Sequence, residues 1–488
     1  MREDLGKESS DSGSRGSSDI VSTRDDGPLR IGMMDDLPGS PIVIPRDKHC
    51  LSRKFVDPDA LRVLRRFIHH GYQAFLVGGS VRDILLGKEP KDFDISTNAT
   101  PSEIRDIFRN CRIIGRRFRL AHIFFHRGKI LEASTFRSEG EAVPEDAQAG
   151  APSDNVYGDA QTDARRRDLT INGLFYDLRN YAIIDYVGGL EDLRAGVVRV
   201  IGDPETRFRE DPVRMIRAVR HAARTGFEIE PKTYEAIKSC KAFLSDCSQA
   251  RLYEEFIREL KGGQSLASVG LMMETGLLDH FLPAVSDFSR SELGRRGQIL
   301  ERTLTRVDDL IRKGEDVPLS LILAAMLIGT APVEGLLKNH GEGLEHVGRQ
   351  FLSVPEDSHS HFDCPEDGVS TDYKSRRDKS AQVVAGDAGL ALGRLVSEIF
   401  HPIGVSRKDR DAIESVLYGR HILLDGQQQP SGRASRIVRK SYFRDALLLL
   451  EISGHDSRSM EAASFWRASL KSSTGKRRRS RHRKRISA

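Results

Sequence analysis

The sequence contains no apolar run approaching the roughly 18 residues that a membrane-spanning helix needs. Cysteines are few, odd in number and scattered (Cys50, Cys111, Cys240, Cys247, Cys364), and no C-x-x-C pair occurs. That argues against both a disulfide scaffold and a zinc knuckle. At the N-terminus Asp, Ser, Glu and Arg stand where a signal peptide would carry its apolar segment. A large net charge is also missing: Lys+Arg is 76 against Asp+Glu 71, a balance of +5. These absences exclude a membrane protein, a secreted disulfide domain and a fibrous protein. The expectation is a soluble, cytoplasmic protein. Its 488 residues, 38% hydrophobic and 30% charged, predict two to four domains with real cores.

Along the chain, residues 1–43 are rich in Ser, Asp and Gly and read as a disordered arm. Structure is expected from Ile44. Asp59–His70 carries Leu61, Leu64 and Ile68 at helical spacing, with Gly71 as its stop. Ala74–Val77 reads as a buried strand, followed by Gly78-Gly79-Ser80 and a helix to Leu86. Further strands are expected at Lys91–Ile95, Arg112–Ile114, His122–Phe125 and Ile130–Thr135. A helix opens at Pro101 behind an N-capping Thr100. Residues 138–163 read as a polar loop. From Pro204 the pattern is almost wholly helical, interrupted by a polar insertion at 353–380. The near-neutral average hides one extreme: eight of the ten residues Lys476–Arg485 are Lys or Arg.

Asp92-Phe93-Asp94 is the sharpest chemical signal. On a strand, residues i and i+2 share a face, so the two carboxylates project together. Neighbouring carboxylates repel, and a hard divalent cation such as magnesium relieves that repulsion. Alone, the pattern fits a solvated strand edge equally well. Gly78-Gly79-Ser80, thirteen residues upstream of Asp92 counted from Gly79, changes the balance. Glycines let a phosphate approach the backbone, and Arg82 adds a charge. A phosphate cradle followed by a carboxylate pair describes a triphosphate held against metal-bound acids, the arrangement for nucleotidyl transfer. Asp168, in Arg165-Arg166-Arg167-Asp168-Leu169-Thr170-Ile171-Asn172, and Glu132 are candidates for a third acid. An N-cap or an ion pair with its own arginines would equally account for Asp168. Glu210-Asp211-Pro212-Val213-Arg214 opens a helix in which Met215, Ile216, Val219 and Ala222 gather on one side and Arg214, Arg217, Arg220 and Arg224 on the other. Asp211 accepting from an amino group while Arg214 donates to a ring nitrogen fits the edge of adenine or cytosine. A local i,i+3 ion pair is the simpler alternative.

In this order, Gly78-Gly79-Ser80-Val81-Arg82-Asp83, Asp92-Phe93-Asp94, Arg166-Arg167-Asp168-Leu169-Thr170-Ile171-Asn172, Asp185-Tyr186-Val187-Gly188-Gly189-Leu190-Glu191-Asp192-Leu193 and Glu210-Asp211-Pro212-Val213-Arg214 resemble the motif set of the class II tRNA nucleotidyltransferase and bacterial poly(A) polymerase superfamily. The match covers roughly residues 44–290. Ile113–Ile123 is similar to the signature of the poly(A) branch, and Ile44-Pro45-Arg46, Ser52-Arg53 and the basic tail also look like that branch. Ser80 and His221 stand where relatives often have Gly and Phe.

The resemblance implies an α+β fold: a mixed-sheet, polymerase-beta-like catalytic head at 44–180, a helical neck with the base-reading helix at 181–262, a helical RNA-binding body at 263–470, and a basic tail at 471–488. It implies template-independent addition of AMP from ATP to RNA 3′ ends, with CCA addition to tRNA, or a silent RNA-binding relative, as alternatives. Asp92 and Asp94 would bind Mg2+ and form the catalytic pair, with Asp168 as the matching third acid and Glu132 as runner-up. Gly78, Gly79, Ser80, Arg82, Arg167 and Asn172 would hold the nucleotide. Asp211, Arg214 and Arg217 would read the base. Gly188-Gly189 would flex between head and neck. His69, His70 and His122 read as structural. Lys476, Arg477, Arg478, Arg479, Arg481, Arg483, Lys484 and Arg485 would bind RNA, while partners in RNA decay or RNA chaperoning stay open.

Overall fold

The computed structural model describes residues 40–115, 119–138, 157–286, 296–328, 331–338, 387–425, 436–454 and 456–468. Nearly all of the arm, the insertion at 353–380, the basic tail and residues 139–156 of the expected loop lie outside these residues.

The head is an eight-stranded sheet of β1 (Ile42–Ile44), β2 (Ala74–Val77), β3 (Asp94–Thr97), β4 (Cys111–Ile114), β5 (Leu120–Phe124), β6 (Ile130–Thr135), β7 (Leu174–Asp177) and β8 (Ala182–Asp185), in the order β1-β8-β7-β2-β3-β6-β5-β4. Every neighbouring pair is antiparallel except β3 and β6. Local chemistry starts the helices where the sequence indicates. α1 (Pro58–His69) begins on Asp57, whose carboxylate accepts from the amides of Asp59 and Ala60. α3 (Pro101–Ile107) has a capping box of Thr100 and Glu103. α2 (Gly79–Leu85) follows β2 directly.

Three boundaries differ from expectation. β3 begins at Asp94 rather than Lys91, because Val77, the last residue of β2, pairs with Asp94 and nothing pairs beyond it. Phe93 is only half-buried against the head core. The sheet runs past residue 180, since β8 is held between β1 and β7. The polar stretch ending at 163 contains the start of α4 (Ala160–Arg165). An Asp159–Thr162 capping box initiates it, and Ala160 and Ala164 pack on Phe75 and Phe175.

One face of the sheet carries the head core, including Leu76, Ile95, Ile123, Leu131 and Tyr176, beneath α1 and α3. The other face carries a smaller cluster around Phe75, Val77, Phe136 and Phe175. Among the described residues, that smaller cluster does not extend over the β3–β6–β5 end of its face, and there the acids stand.

After the sheet come α5 (Gly189–Ala195), β9 (Val197–Val198), α6 (Pro204–Glu210), α7 (Val213–Thr225), β10 (Glu228–Ile229), α8 (Pro231–Cys240), α9 (Gln249–Leu260), α10 (Ser265–Thr275) and α11 (Leu278–Phe281). Helices Arg296–Arg312, Leu319–Leu327, Ala331–Lys338, Asp387–Phe400, Arg407–Asp425 and Phe443–Ser453 extend the body. A single core runs from α7 through to the Phe443–Ser453 helix.

The entry to α5, where Gly188-Gly189 suggested a flexible joint, is tied down in this structure. The Asp185 carboxylate accepts from the amides of Val187, Gly189 and Leu190 at 3.0, 3.1 and 2.8 Å. A Cβ built on Gly189 would lie 2.1 Å from the Thr170 carbonyl oxygen. Glycine is required here for close backbone approach. Gly189→Ala is therefore expected to destabilise the protein by about 3 kcal/mol, the upper end of ordinary overpacking. Urea unfolding checks this, and a midpoint unchanged from wild type would show that the contact yields freely.

Candidate active site

The parallel pairing of β3 with β6 places Asp94 level with Glu132, and the β5–β6 pairing places Glu132 level with His122. His122 Nε2 lies 3.4 Å from Glu132 Oε1. Asp92, Asp94, Glu132 and His122 line one wall of a cleft of about 640 Å³. The Asp94 carboxyl is pushed up to about 6 by loss of hydration in the cleft, and then by the adjacent negative charge of Glu132. Arg167 partly offsets this. Neither the Asp92 nor the Asp94 carboxylate hydrogen-bonds a described residue. Among the described residues no three acidic, His or Cys side chains gather closely enough to hold an ion alone. Crowded, unpartnered acids of this kind suit a magnesium ion that takes one or two carboxylates and completes its shell with phosphate and water.

Gly78 supplies the turn beside them. Its φ is +72°, a conformation that side-chain-bearing residues rarely adopt. A Cβ there would lie 3.4 Å from Arg167 Nη1 and 3.9 Å from Asp94 Oδ2. Gly78, Asp94 and Arg167 therefore converge. Arg167 is steadied by Ser96 and by Asp163 at 3.0 and 2.9 Å, and stacks over Phe175. α2 is only seven residues long, so the anion-attracting charge at this turn comes mainly from Arg167.

Three residues assigned to the nucleotide are turned inward. Ser80 Oγ donates to the Val77 carbonyl. Arg82 is 1% exposed and is committed to Asp83, Asn172 and His221. Asn172 donates to Asp168 at 3.2 Å. Asp168 belongs to this inner network and does not line the cleft with Asp92 and Asp94. Burial would raise its pKa, but the Arg217 guanidinium 3.2 Å away, with hydrogen bonds from Asn172 and the Leu169 amide, holds it well below the usual carboxylate range.

The polar side of α7 is a docking stripe rather than a solvated face. Arg217, His221 and Arg224, at i, i+4 and i+7, reach Asp168, Arg82 and Asp83 of the head, the last at 2.6 Å. Burial and the Arg82 charge keep His221 well below its ordinary pKa, and so neutral. Arg220 instead pairs with Glu255 on α9. At the start of α7 the local Asp211–Arg214 pair does not form. Asp211 accepts from Arg251 at 2.9 and 3.1 Å, and Arg214 donates to Glu210 at 3.2 Å. Neither lines the cleft, whose α7 residues are Arg220, His221 and Arg224.

Residues 74–199 match the family described as poly A polymerase head domain, and residues 226–288 match the one described as probable RNA and SrmB-binding site of polymerase A. The poly(A) polymerase I of Haemophilus influenzae is 37% identical over 311 residues, 61% of this chain and 68% of that protein. The chain belongs to the bacterial poly(A) polymerase I family. The family's Escherichia coli O6:H1 member is 45% identical over 292 residues, 58% of this chain, and the match spans 63% of that relative's length. In fold, the chain is similar to the Bacillus stearothermophilus CCA-adding enzyme in complex with CTP, with a TM-score of 0.56 at 22% identity over 84% of this chain and 82% of that one.

The segment Ile113–Ile123, whose resemblance is to the poly(A) branch, enters from β4 and leaves through β5 beside the acids, and Arg116, Arg117 and Phe118 lie outside the described residues. Near its end His122 meets Glu132 across the β5–β6 pair, a contact that the local sequence had no means to show. The α7 stripe was also missed. Its i, i+4, i+7 spacing was visible, but nothing local says that a polar stripe meets another domain.

Proposed function

We propose that the protein is a template-independent poly(A) polymerase, transferring AMP from ATP to the 3′-hydroxyl of RNA and releasing pyrophosphate. The observation that carries this is that Asp92, Asp94 and Glu132 line one cleft wall while the Gly78 turn and Arg167 meet beside Asp94. Asp92 and Asp94 would hold magnesium, which when bound lowers the pKa of the attacking hydroxyl and steadies the leaving pyrophosphate. Arg167, over the Gly78 turn, holds the triphosphate. Glu132, rather than Asp168, acts as the third acid, because it stands level with Asp94 and faces the cleft. Arg82, Asn172, Asp168 and His221 position the turn and the helix. Asp211 and Arg214 read the base, with Asp211 keeping a lone pair for an exocyclic amine beside its Arg251 contact. The basic tail, read from sequence alone, adds phosphate contacts, and cytoplasmic RNA ends are the substrate.

The test is a gel assay with purified protein, magnesium and labelled RNA ending in a 3′-hydroxyl, each nucleotide offered singly. A long ladder with ATP alone on generic RNA is expected. Addition of C, C and A confined to a tRNA lacking its end would move the chain to the sister activity. RNA binding without incorporation would leave a silent binder. Arg214→Ala is expected to raise KM for ATP roughly 10- to 100-fold, the worth of one charge-assisted hydrogen bond. Steady-state kinetics with ATP varied checks this, and an unchanged KM would remove Arg214 from base reading.

A further inference from the structure

The uncovered face beyond Glu132 carries chemistry that nucleotidyl transfer does not use. Residues Arg112 and Ile114 of β4, Leu120, His122 and Phe124 of β5, and Ile130 and Glu132 of β6 share it by strand parity and register. Phe124 and Ile130 are register partners, and both are exposed, at 37% and 44%. Arg112 lies over the Phe124 ring at 6.0 Å, and the His122 ring is 6.5 Å from it. Phe125, the next residue, turns the other way and packs against the head core. The result is an exposed apolar floor with a cation above it, continuous with the acids through the Asp94–Glu132–His122–Arg112 row. Arg258 and Lys261 stand on the opposite wall of the same cleft.

We infer that this face of β4–β5–β6 is a stacking platform for bases just upstream of the RNA 3′ end, with Phe124 and Ile130 as its floor and Arg112 as its clamp. The inference rests on the proposed RNA-extending function. Two features favour single-stranded RNA as the occupant. Every base has a π-face, so an aromatic floor accepts any sequence, and cations on both sides suit the backbone. Phe124 is two strands and one residue pair from Asp94, about 12 Å at ordinary strand spacings. Stacked nucleotides at ~3.4 Å rise reach that far within a few steps of the reacting hydroxyl.

The experiment uses the full-length chain and an oligoribonucleotide carrying 2-aminopurine at each of the last five positions in turn, with binding titrated at several salt concentrations. Wild-type protein is expected to quench the fluorophore at an internal 3′-proximal position. Phe124→Ala should abolish that quench and weaken RNA binding and RNA KM roughly tenfold. The salt slope and the KM for ATP should not change, and Phe124→Trp should restore binding. Arg112→Ala should instead flatten the salt slope by about 0.7, one single-strand phosphate contact. Phe124 is exposed, so its replacement is not expected to unfold the head. Unaltered RNA affinity and quench in Phe124→Ala would overturn the platform. Quenching that depends on Phe124 in a protein that incorporates no nucleotide would support the platform and sink the polymerase reading instead.

Discussion

Asp94→Asn should reduce nucleotide incorporation by at least about 10³-fold while making the metal-free protein more resistant to heat at neutral pH. The two effects share one cause. The Asp94 carboxyl is pushed up to about 6 in the folded protein, from an ordinary 3.8, by partial loss of hydration at the cleft and by the Glu132 charge. Between those values the folded state binds the proton more tightly than the unfolded chain, so stability falls as pH rises through that window. Above it the ionised carboxylate is a standing cost, which the neutral amide removes. Magnesium should therefore raise the melting temperature of the wild type and leave the Asn variant almost unmoved. With limiting magnesium, incorporation by the wild type should decline as pH drops toward about 6, where protons compete with the metal for the carboxylate, and saturating magnesium should move that decline to lower pH. A thermal melt with and without magnesium, beside the gel assay, reads all of this. A variant that melts lower than wild type without metal would contradict the electrostatic account. One that still extends RNA would remove Asp94 from the chemistry.

Glu132→Gln and Asp168→Ala should fail in opposite ways. Glu132 is half-exposed on the cleft wall, so its amide should fold normally and lose on the order of 10²-fold in kcat. Asp168 is buried against Arg217, Asn172 and the Leu169 amide. Its removal strands those partners and should cost about 3 kcal/mol, at the low end for a broken buried pair because Arg217 is partly solvated. The contribution is present above pH ~4 and is lost only as pH falls toward the depressed folded value. Denaturant midpoints and single-turnover rates, measured on both variants, separate the roles. An Asp168→Ala protein of normal stability and no activity would return the third acid to Asp168.

What could be read from the sequence was what local chemistry decides. Thr100 before Pro101, and Gly71 and Gly87 at helix ends, each act within one turn, and those elements stand where expected. The cradle and the acid pair were visible for the same reason. Glu132 was a candidate third acid in the sequence but ranked behind Asp168, because its partner Asp94 lies on a parallel strand reached only through α3 and the β4–β5 hairpin. Ser80, Arg82 and Asn172 have the residue types of a phosphate site, yet their hydrogen bonds are spent inside the fold, Ser80 on the Val77 carbonyl and Arg82 and Asn172 on each other and on Asp83, Asp168 and His221. Helical periodicity separated the two sides of α7 correctly. It carries no information on whether the polar side meets water or the acids of the head.

The contact of Gly189 with Thr170 gives the molecule a fixed jaw. The start of α5 is seated on the backbone that follows Arg167 and Asp168, and Arg217, His221 and Arg224 tie α7 to the same block, so the opening between the sheet and that helix is braced on its head side. A jaw braced in this way is expected to admit objects by size, without first having to bend around each in turn.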